Sequence, residues 1–144
     1  MTYTSKIKGI SIRQPWADLI LRGLKTIELR EYRPPDGWPD YLVIHAPRMI
    51  EYAPAAFFGY REPWKLPVSK LLALARIEKI ISINEQNWLD YVDAHKQFFP
   101  ADGEFYGLQL ADIKIFDRPI EYPGQVILFD IRQDICDLIV STYL

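Results

Sequence analysis

The stretch from Gly9 to Arg33 concentrates polar side chains whose types and spacing are suited to chemistry. They supply an amide, an ammonium, a hydroxyl, a carboxylate and a guanidinium: Gln14, Lys25, Thr26, Glu28 and Arg30. The last three alternate along one strand face at steps of roughly 7 Å. Such groups bind anions, form directional hydrogen bonds or transfer protons. A solvated strand face beside a turn is the alternative interpretation, and the pattern alone leaves both open.

A strand, a short helix and a second strand must position these groups. Ile10 and Ile12 alternate with polar residues, as in a half-buried strand. Pro15 suits the first position of a helix, and the apolar spacing predicts a helix over Pro15–Arg22 that Gly23 ends. A strand then resumes at Ile27, so Gln14 and Lys25 lie at the two ends of the helix.

This set of residues resembles the signature of the ASCH domain, a small β-barrel superfamily related to the PUA RNA-binding domains. The family pattern is a strand ending in Q-P-[WY], a short helix, and then G-x-K-[TR]-x-E-x-R. The matching positions are Gln14, Pro15, Trp16, Gly23, Lys25, Thr26, Glu28 and Arg30. The resemblance is strong over residues 9–33, weaker through about residue 131, and does not cover residues 49–67 or the C-terminal tail.

The resemblance implies first a module that holds RNA or a nucleotide in a cleft beside the G-x-K motif. Cationic side chains would engage phosphate, Gln14 and Glu28 would read base edges, and an aromatic ring would stack on a base. The end of the strand that carries His45 opens toward the same cleft in such chains. The predicted ligand-binding residues are Gln14, Trp16, Lys25, Thr26, Glu28, Arg30, His45, Arg48 and Tyr106.

The resemblance implies an enzyme as the alternative, with Lys25 and Glu28 as the catalytic residues. One branch of the superfamily hydrolyses N4-acetylcytidine with the motif lysine, a following threonine and a glutamate. Glu28 stands at the threonine position here. A carboxylate near the ammonium favours its charged form, so we expect Lys25 to stay protonated at pH 7, which favours binding over covalent attack. Glu28 could still act as a general base, and a single-strand ribonuclease using Lys25 and Arg30 also remains possible.

The rest of the chain predicts an α+β fold, namely a small, mostly antiparallel PUA-like barrel of five to seven strands in a single domain spanning residues 1–144. The barrel would carry the short N-terminal helix between its first two strands, with further helices on its flanks. Further strands are expected at Tyr41–Ala46, Ser69–Ile83, Phe105–Phe116 and Val126–Ile131, and further helices at Glu85–Phe99 and Ile135–Tyr143.

Residues 47–67 hold four prolines and five aromatic residues. Prolines at this density oppose regular structure longer than a turn or two. The aromatic rings are expected to cover the end of the barrel or to stack on a base. A protein partner that binds this aromatic loop is a third functional possibility.

Composition excludes several other classes. One cysteine and two isolated histidines predict no metal site, and the sequence has no phosphate-loop, dinucleotide or nucleophile-elbow motif, so no cofactor is expected. The net charge of −2 gives no general affinity for polyanions, yet residues 1–72 carry a net +4 and residues 73–144 a net −6. A soluble cytoplasmic protein that does not enter a membrane is expected.

Overall fold

Residues 6–98, 102–125 and 127–144 are described by the structure, a computed structural model of the chain. It is a mixed α+β fold around one six-stranded sheet, which is curled into a half-barrel. The strands are β1 (Ile7–Ser11), β2 (Ile27–Arg30), β3 (Tyr41–Ala46), β4 (Lys70–Asn84), β5 (Glu104–Glu121) and β6 (Leu128–Phe129). Their order across the sheet is β2-β5-β4-β3-β1-β6, and every neighbouring pair is antiparallel except β1 and β3.

Two long strands curl the sheet. β4 and β5 pair along most of their lengths, and their register shifts between Leu71 and Ala73, between Leu74 and Arg76 and between Ile77 and Lys79. Bulges of this kind bend a strand and increase its twist. The edge strands β2 and β6 do not pair with each other in the described residues, so the small barrel that the sequence predicted takes the form of a curled half-barrel sheet.

In the part of the chain that the structure describes, four α-helices flank the sheet: α1 (Trp16–Leu21), α2 (Tyr52–Phe57), α3 (Val92–His95) and α4 (Gln133–Tyr143). Short 3-10 helices occupy Pro63–Lys65 and Trp88–Tyr91. α1 covers the main core through Trp16, Leu19 and Ile20, while α4 buries Ile135 and Ile139 in a second cluster. A third cluster joins the 3-10 helix at Trp88 to Ile27 of β2.

The helix predicted over Glu85–Phe99 is wrong in extent. The Asn84 side chain accepts the backbone N–H groups of Gln86 and Asn87, and the Asn87 side chain in turn accepts the N–H of Asn84. These local bonds satisfy the backbone without a helix, so only the 3-10 turn and the four residues of α3 form. Lys96, with φ of 65°, ends α3, and Phe99 lies outside the described residues.

Smaller differences concern the later elements. The predicted strand Phe105–Phe116 is one strand extending to Glu121, and the final helix begins at Gln133 rather than at Ile135. Gly107 has the close approach that its place in a strand suggested. A Cβ there would lie 2.6 Å from the Ile83 side chain, so a larger residue would displace the packing between β4 and β5.

Candidate functional site

Lys25 lies where α1 turns into β2. Gly23, with φ of 76°, adopts the left-handed conformation that ends the helix, and the N–H groups of Leu24 and Lys25 both donate to the Leu19 carbonyl. The chain therefore reverses within three residues. None of the Lys25 side chain is exposed to solvent.

Three groups surround the Lys25 ammonium. Its Nζ donates to the His95 carbonyl oxygen at 2.6 Å, lies 3.5 Å from Glu28 Oε1, and sits 5.3 Å from the centre of the Trp16 ring. Burial lowers the pKa of Lys25 below its ordinary value, while the Glu28 carboxylate opposes that shift. The retention of the Lys25 proton at pH 7 stays a prediction.

Glu28 connects Lys25 to Arg30. Its second oxygen, Oε2, accepts a hydrogen bond of 2.7 Å from an Arg30 terminal nitrogen, and that nitrogen also donates to the Ser11 carbonyl at 2.7 Å. The side chains of Glu28 and Arg30 are only 10% and 15% exposed. The three side chains thus form a continuous row of ionisable groups that begins just before β2 and follows the strand, which we call the charge row (Lys25, Glu28 and Arg30).

His95 fixes the segment that covers the Lys25 end of the row. Its ring is buried, the Gln97 N–H donates to Nδ1 at 3.0 Å, and Nε2 lies 3.0 Å from the Trp88 carbonyl. A ring that accepts at Nδ1 must donate at Nε2, so these partners assign the neutral tautomer. Burial lowers the pKa of His95, and the Lys25 ammonium lowers it further.

Aromatic residues adjoin the Arg30 end of the row. Arg30 pairs with Tyr106 across β2 and β5, so both side chains stand on one face of the sheet. The Tyr106 ring lies 6.2 Å from that of Trp38, which lies 6.4 Å from that of Tyr32. We call Tyr32, Trp38 and Tyr106 the aromatic cluster. Arg30 Nε, the Tyr32 hydroxyl and Trp38 Nε1 are buried and have no hydrogen-bond partner among the described residues.

A family model for the ASCH domain matches residues 10–124, which is most of the chain. The protein belongs to the ASCH domain family. Among solved structures, the ASCH protein of Zymomonas mobilis is similar at a TM-score of 0.66 and 21% identity, covering 97% of each chain. Two single-substitution variants of that protein match equally well, at a TM-score of 0.66 and 21% identity. At this identity the likeness is one of fold. No curated protein matches the chain.

The ASCH motif residues Gln14 and Thr26 are engaged with the protein backbone. The Gln14 amide donates to the Pro67 carbonyl at 3.0 Å and accepts the Asp18 N–H at 2.9 Å, and the side chain is fully buried. A base contact by Gln14 would have to break one of these bonds. Thr26 is exposed, and its backbone joins Ala94 and Leu110.

Trp16 lines an apolar groove. Its indole N–H donates to Glu51 at 3.0 Å, and its ring meets Phe58 edge-on at 5.7 Å. The groove has a volume of about 320 Å³ and is lined chiefly by Trp16, Pro54, Phe57, Phe58 and Phe98. Phe57 is 65% exposed, so the 47–67 segment presents aromatic surface to solvent as well as covering the core.

The predicted site residues His45 and Arg48 have separate surroundings. His45 is fully buried, its Nε2 lies 3.0 Å from the Tyr122 carbonyl, and its Nδ1 lies 3.5 Å from the Ser11 hydroxyl. Burial lowers the pKa of His45. Arg48 is exposed, and it forms no ion pair within the described residues. Neither side chain contacts the charge row directly.

The sequence interpretation missed Tyr32, Trp38 and His95 as site residues. It named Trp16 as a ligand-binding residue, and the structure places the Trp16 ring beside the Lys25 ammonium. Tyr32 had a signal, since it continues the alternation of Glu28 and Arg30. Trp38 had no such signal. It lies in a turn of prolines and glycine, where residue spacing does not indicate the direction in which a ring packs. Within the described residues, no group of acidic, histidine or cysteine side chains has the arrangement of a metal site, and no helix is long and apolar enough to span a membrane.

Proposed function

We propose that the ASCH domain binds single-stranded RNA or a nucleotide at the Arg30 end of the charge row. The observation that carries the proposal is that the Arg30 side chain, which is 15% exposed, adjoins a cluster of three aromatic rings. Guanidinium groups pair with phosphate, and aromatic rings stack on unpaired bases, so this combination suits a single strand.

The local charge supports the same proposal. One carboxylate, Glu28, lies between two cations, so with Lys25 protonated the charge row carries one net positive charge. The molecule as a whole carries −2. Affinity for a polyanion must therefore come from this local excess and from stacking rather than from a general field. Lys25 would influence ligand binding through its contact with Glu28, because its own ammonium is buried.

Titration of a short fluorescent single-stranded RNA tests the proposal by anisotropy at several salt concentrations. We expect Arg30→Ala to weaken binding about tenfold and to reduce the slope of log affinity against log salt by about 0.7, the value for one phosphate on a single strand. Arg118→Ala is the matched control, since Arg118 is exposed on β5. Equal binding and an equal slope in both variants would refute the proposed site.

An amidohydrolase acting on N4-acetylcytidine is the second candidate, and the lowered pKa of Lys25 favours it. A lysine must lose its proton to attack a carbonyl, and burial assists that loss. Glu28, 3.5 Å away, would be the group that accepts a proton. Incubation with N4-acetylcytidine and with RNA, followed by chromatography, distinguishes the candidates. Turnover that Lys25→Met abolishes would replace the binding function with the enzymatic one.

Binding of neither RNA nor nucleoside would leave the aromatic surface of residues 47–67 as the functional candidate. Four of its large apolar side chains are more than half exposed: Met49, Tyr52, Phe57 and Trp64. A protein partner is the kind of ligand that such a surface fits.

A further inference from the structure

We propose that the loop formed by residues 31–40 is a lid that pairs its buried donors with a phosphate group bound against Arg30. This inference rests on the proposed function and specifies the ligand chemistry of the same site. Its basis is that three polar atoms in one contiguous set of side chains are buried without a partner in the described residues: Arg30 Nε, the Tyr32 hydroxyl and Trp38 Nε1.

The absence of partners makes the closed loop energetically unfavourable. A buried donor that has lost its water and gained no acceptor costs free energy, and native structures rarely contain such groups. Here three occur together, two of them on the loop and one on the strand beneath it. A group with acceptor atoms that bound between the loop and Arg30 would give all three donors a hydrogen-bond partner.

The donor types define the group that would enter. An indole N–H and a guanidinium N–H can only donate, and the phenol is free to donate, so the missing group is an acceptor. The permanent charge of Arg30 favours an anion. Phosphate presents several oxygens in different directions and can therefore accept from three separate side chains. The flanking rings of Tyr106 and Trp38 place an aromatic base beside that phosphate, so the ligand class is a nucleotide.

The loop has room to move. A groove of about 340 Å³ separates it from the β1 and β6 edge of the sheet, with loop residues on one side and Lys8 and Phe129 on the other. The loop is therefore packed on the Arg30 side and not on the groove side. Its turn is made at Gly37, whose φ of 79° suits glycine. A shift into the groove would open the Arg30 side, and it would move the Trp38 ring relative to the main core against which it packs.

Two substitutions remove one donor each and keep the ring or most of the apolar surface: Tyr32→Phe and Trp38→Phe. The matched controls are Tyr52→Phe and Trp64→Phe, at positions that are 56% and 62% exposed. Calorimetric titration with cytidine 5′-monophosphate, cytidine and inorganic phosphate measures each donor's contribution. We expect each lid variant to bind the monophosphate about five- to tenfold more weakly and each control to match the wild type. Tyr32→Phe keeps its ring, and so should bind cytidine as the wild type does.

Thermal unfolding without ligand gives a second measurement. Because the Tyr32 hydroxyl has no partner when the loop is closed, Tyr32→Phe should leave the unfolding midpoint unchanged or raise it. A lower midpoint, or full affinity for the monophosphate in both lid variants, would overturn the inference. If RNA binding depends on Arg30 but neither lid variant alters it, only the lid is refuted. If the wild type binds neither RNA nor monophosphate, the proposed function fails with it.

Discussion

The two ends of the charge row contrast in how completely their polar groups are paired. At the Lys25 end the ammonium has the His95 carbonyl and Glu28, and His95 itself is bonded at both ring nitrogens. At the Arg30 end one guanidinium nitrogen and two neighbouring donors have no partner in the described part of the chain. Fully paired buried groups fix a conformation, whereas an unpaired buried group requires an explanation, of which a bound ligand is one.

The contrast reverses the simplest interpretation of the ASCH motif. Lys25 is the motif residue with the most evident chemistry, yet it is the least accessible side chain of the row. The buried donors that have no hydrogen-bond partner among the described residues belong to Arg30 and to residues outside the motif. Experiments that separate stability from binding therefore decide whether the two ends have the different roles that their pairing indicates.

The largest expected effect is the loss of stability in Glu28→Ala. This change leaves a buried ammonium without its carboxylate, which typically costs about 3–5 kcal/mol of unfolding free energy. Lys25→Met should cost less than half of that, because Glu28 keeps Arg30 and the methionine fills the apolar space. Urea unfolding measures both, with Glu85→Ala, an exposed position, as the control. A Glu28→Ala protein as stable as the wild type would show that the Lys25 end is not structural.

Gln14→Ala should have the next largest effect. It leaves the partly buried Asp18 N–H and Pro67 carbonyl without their present partners and should cost about 1–3 kcal/mol. Gln86→Ala is the control, since Gln86 is exposed. RNA affinity, measured on the folded fraction, should be retained. A stable Gln14→Ala protein that no longer discriminates between bases would instead support the base-reading role that the motif suggested.

Acid should destabilise the protein through its two buried histidines. Burial lowers the folded-state pKa of His95 and of His45 below the ordinary value of 6.5, so near and below that pH the unfolded chain binds more protons. Stability should therefore fall as pH decreases from about 7 toward 5. Urea midpoints at pH 7.5 and 5.5 check this, and His95→Gln should reduce the difference. Equal midpoints for the wild type would contradict the neutral tautomer assigned to His95.

Local pattern predicted the fold where neighbouring residues decide the structure. Tyr41–Ala46 forms the expected strand because its apolar run is bounded by prolines, and Gly23 ends α1 because it accepts a positive φ. The 85–99 helix was wrong because Asn84 and Asn87 satisfy the backbone through their own side chains. Apolar spacing carries no information on that competition.

The site was predictable in part for the same reason. Glu28 and Arg30 share a face because they are two residues apart on a strand, and the motif placed Lys25 beside them. The burial of Lys25 was not predictable, since it depends on a carbonyl 70 residues away, at His95. The place of Trp38 beside Tyr106 likewise depends on a loop packing against a distant strand.

Arg48→Ala should have the smallest effect on stability. It is also the most direct test of the path that a bound RNA takes across the surface. Arg48 is exposed and has no ion pair among the described residues, so its loss should change the unfolding free energy by no more than about 0.5 kcal/mol. If RNA extends from Arg30 toward the end of β3, the salt slope of binding should still decrease by about 0.7, as expected for one phosphate. Arg61→Ala is the control, an exposed arginine in the same segment. A reduced slope in Arg48→Ala alone would extend the binding surface past the charge row. An unchanged slope would confine the ligand to the Arg30 end, which is the size of site that a single nucleotide needs.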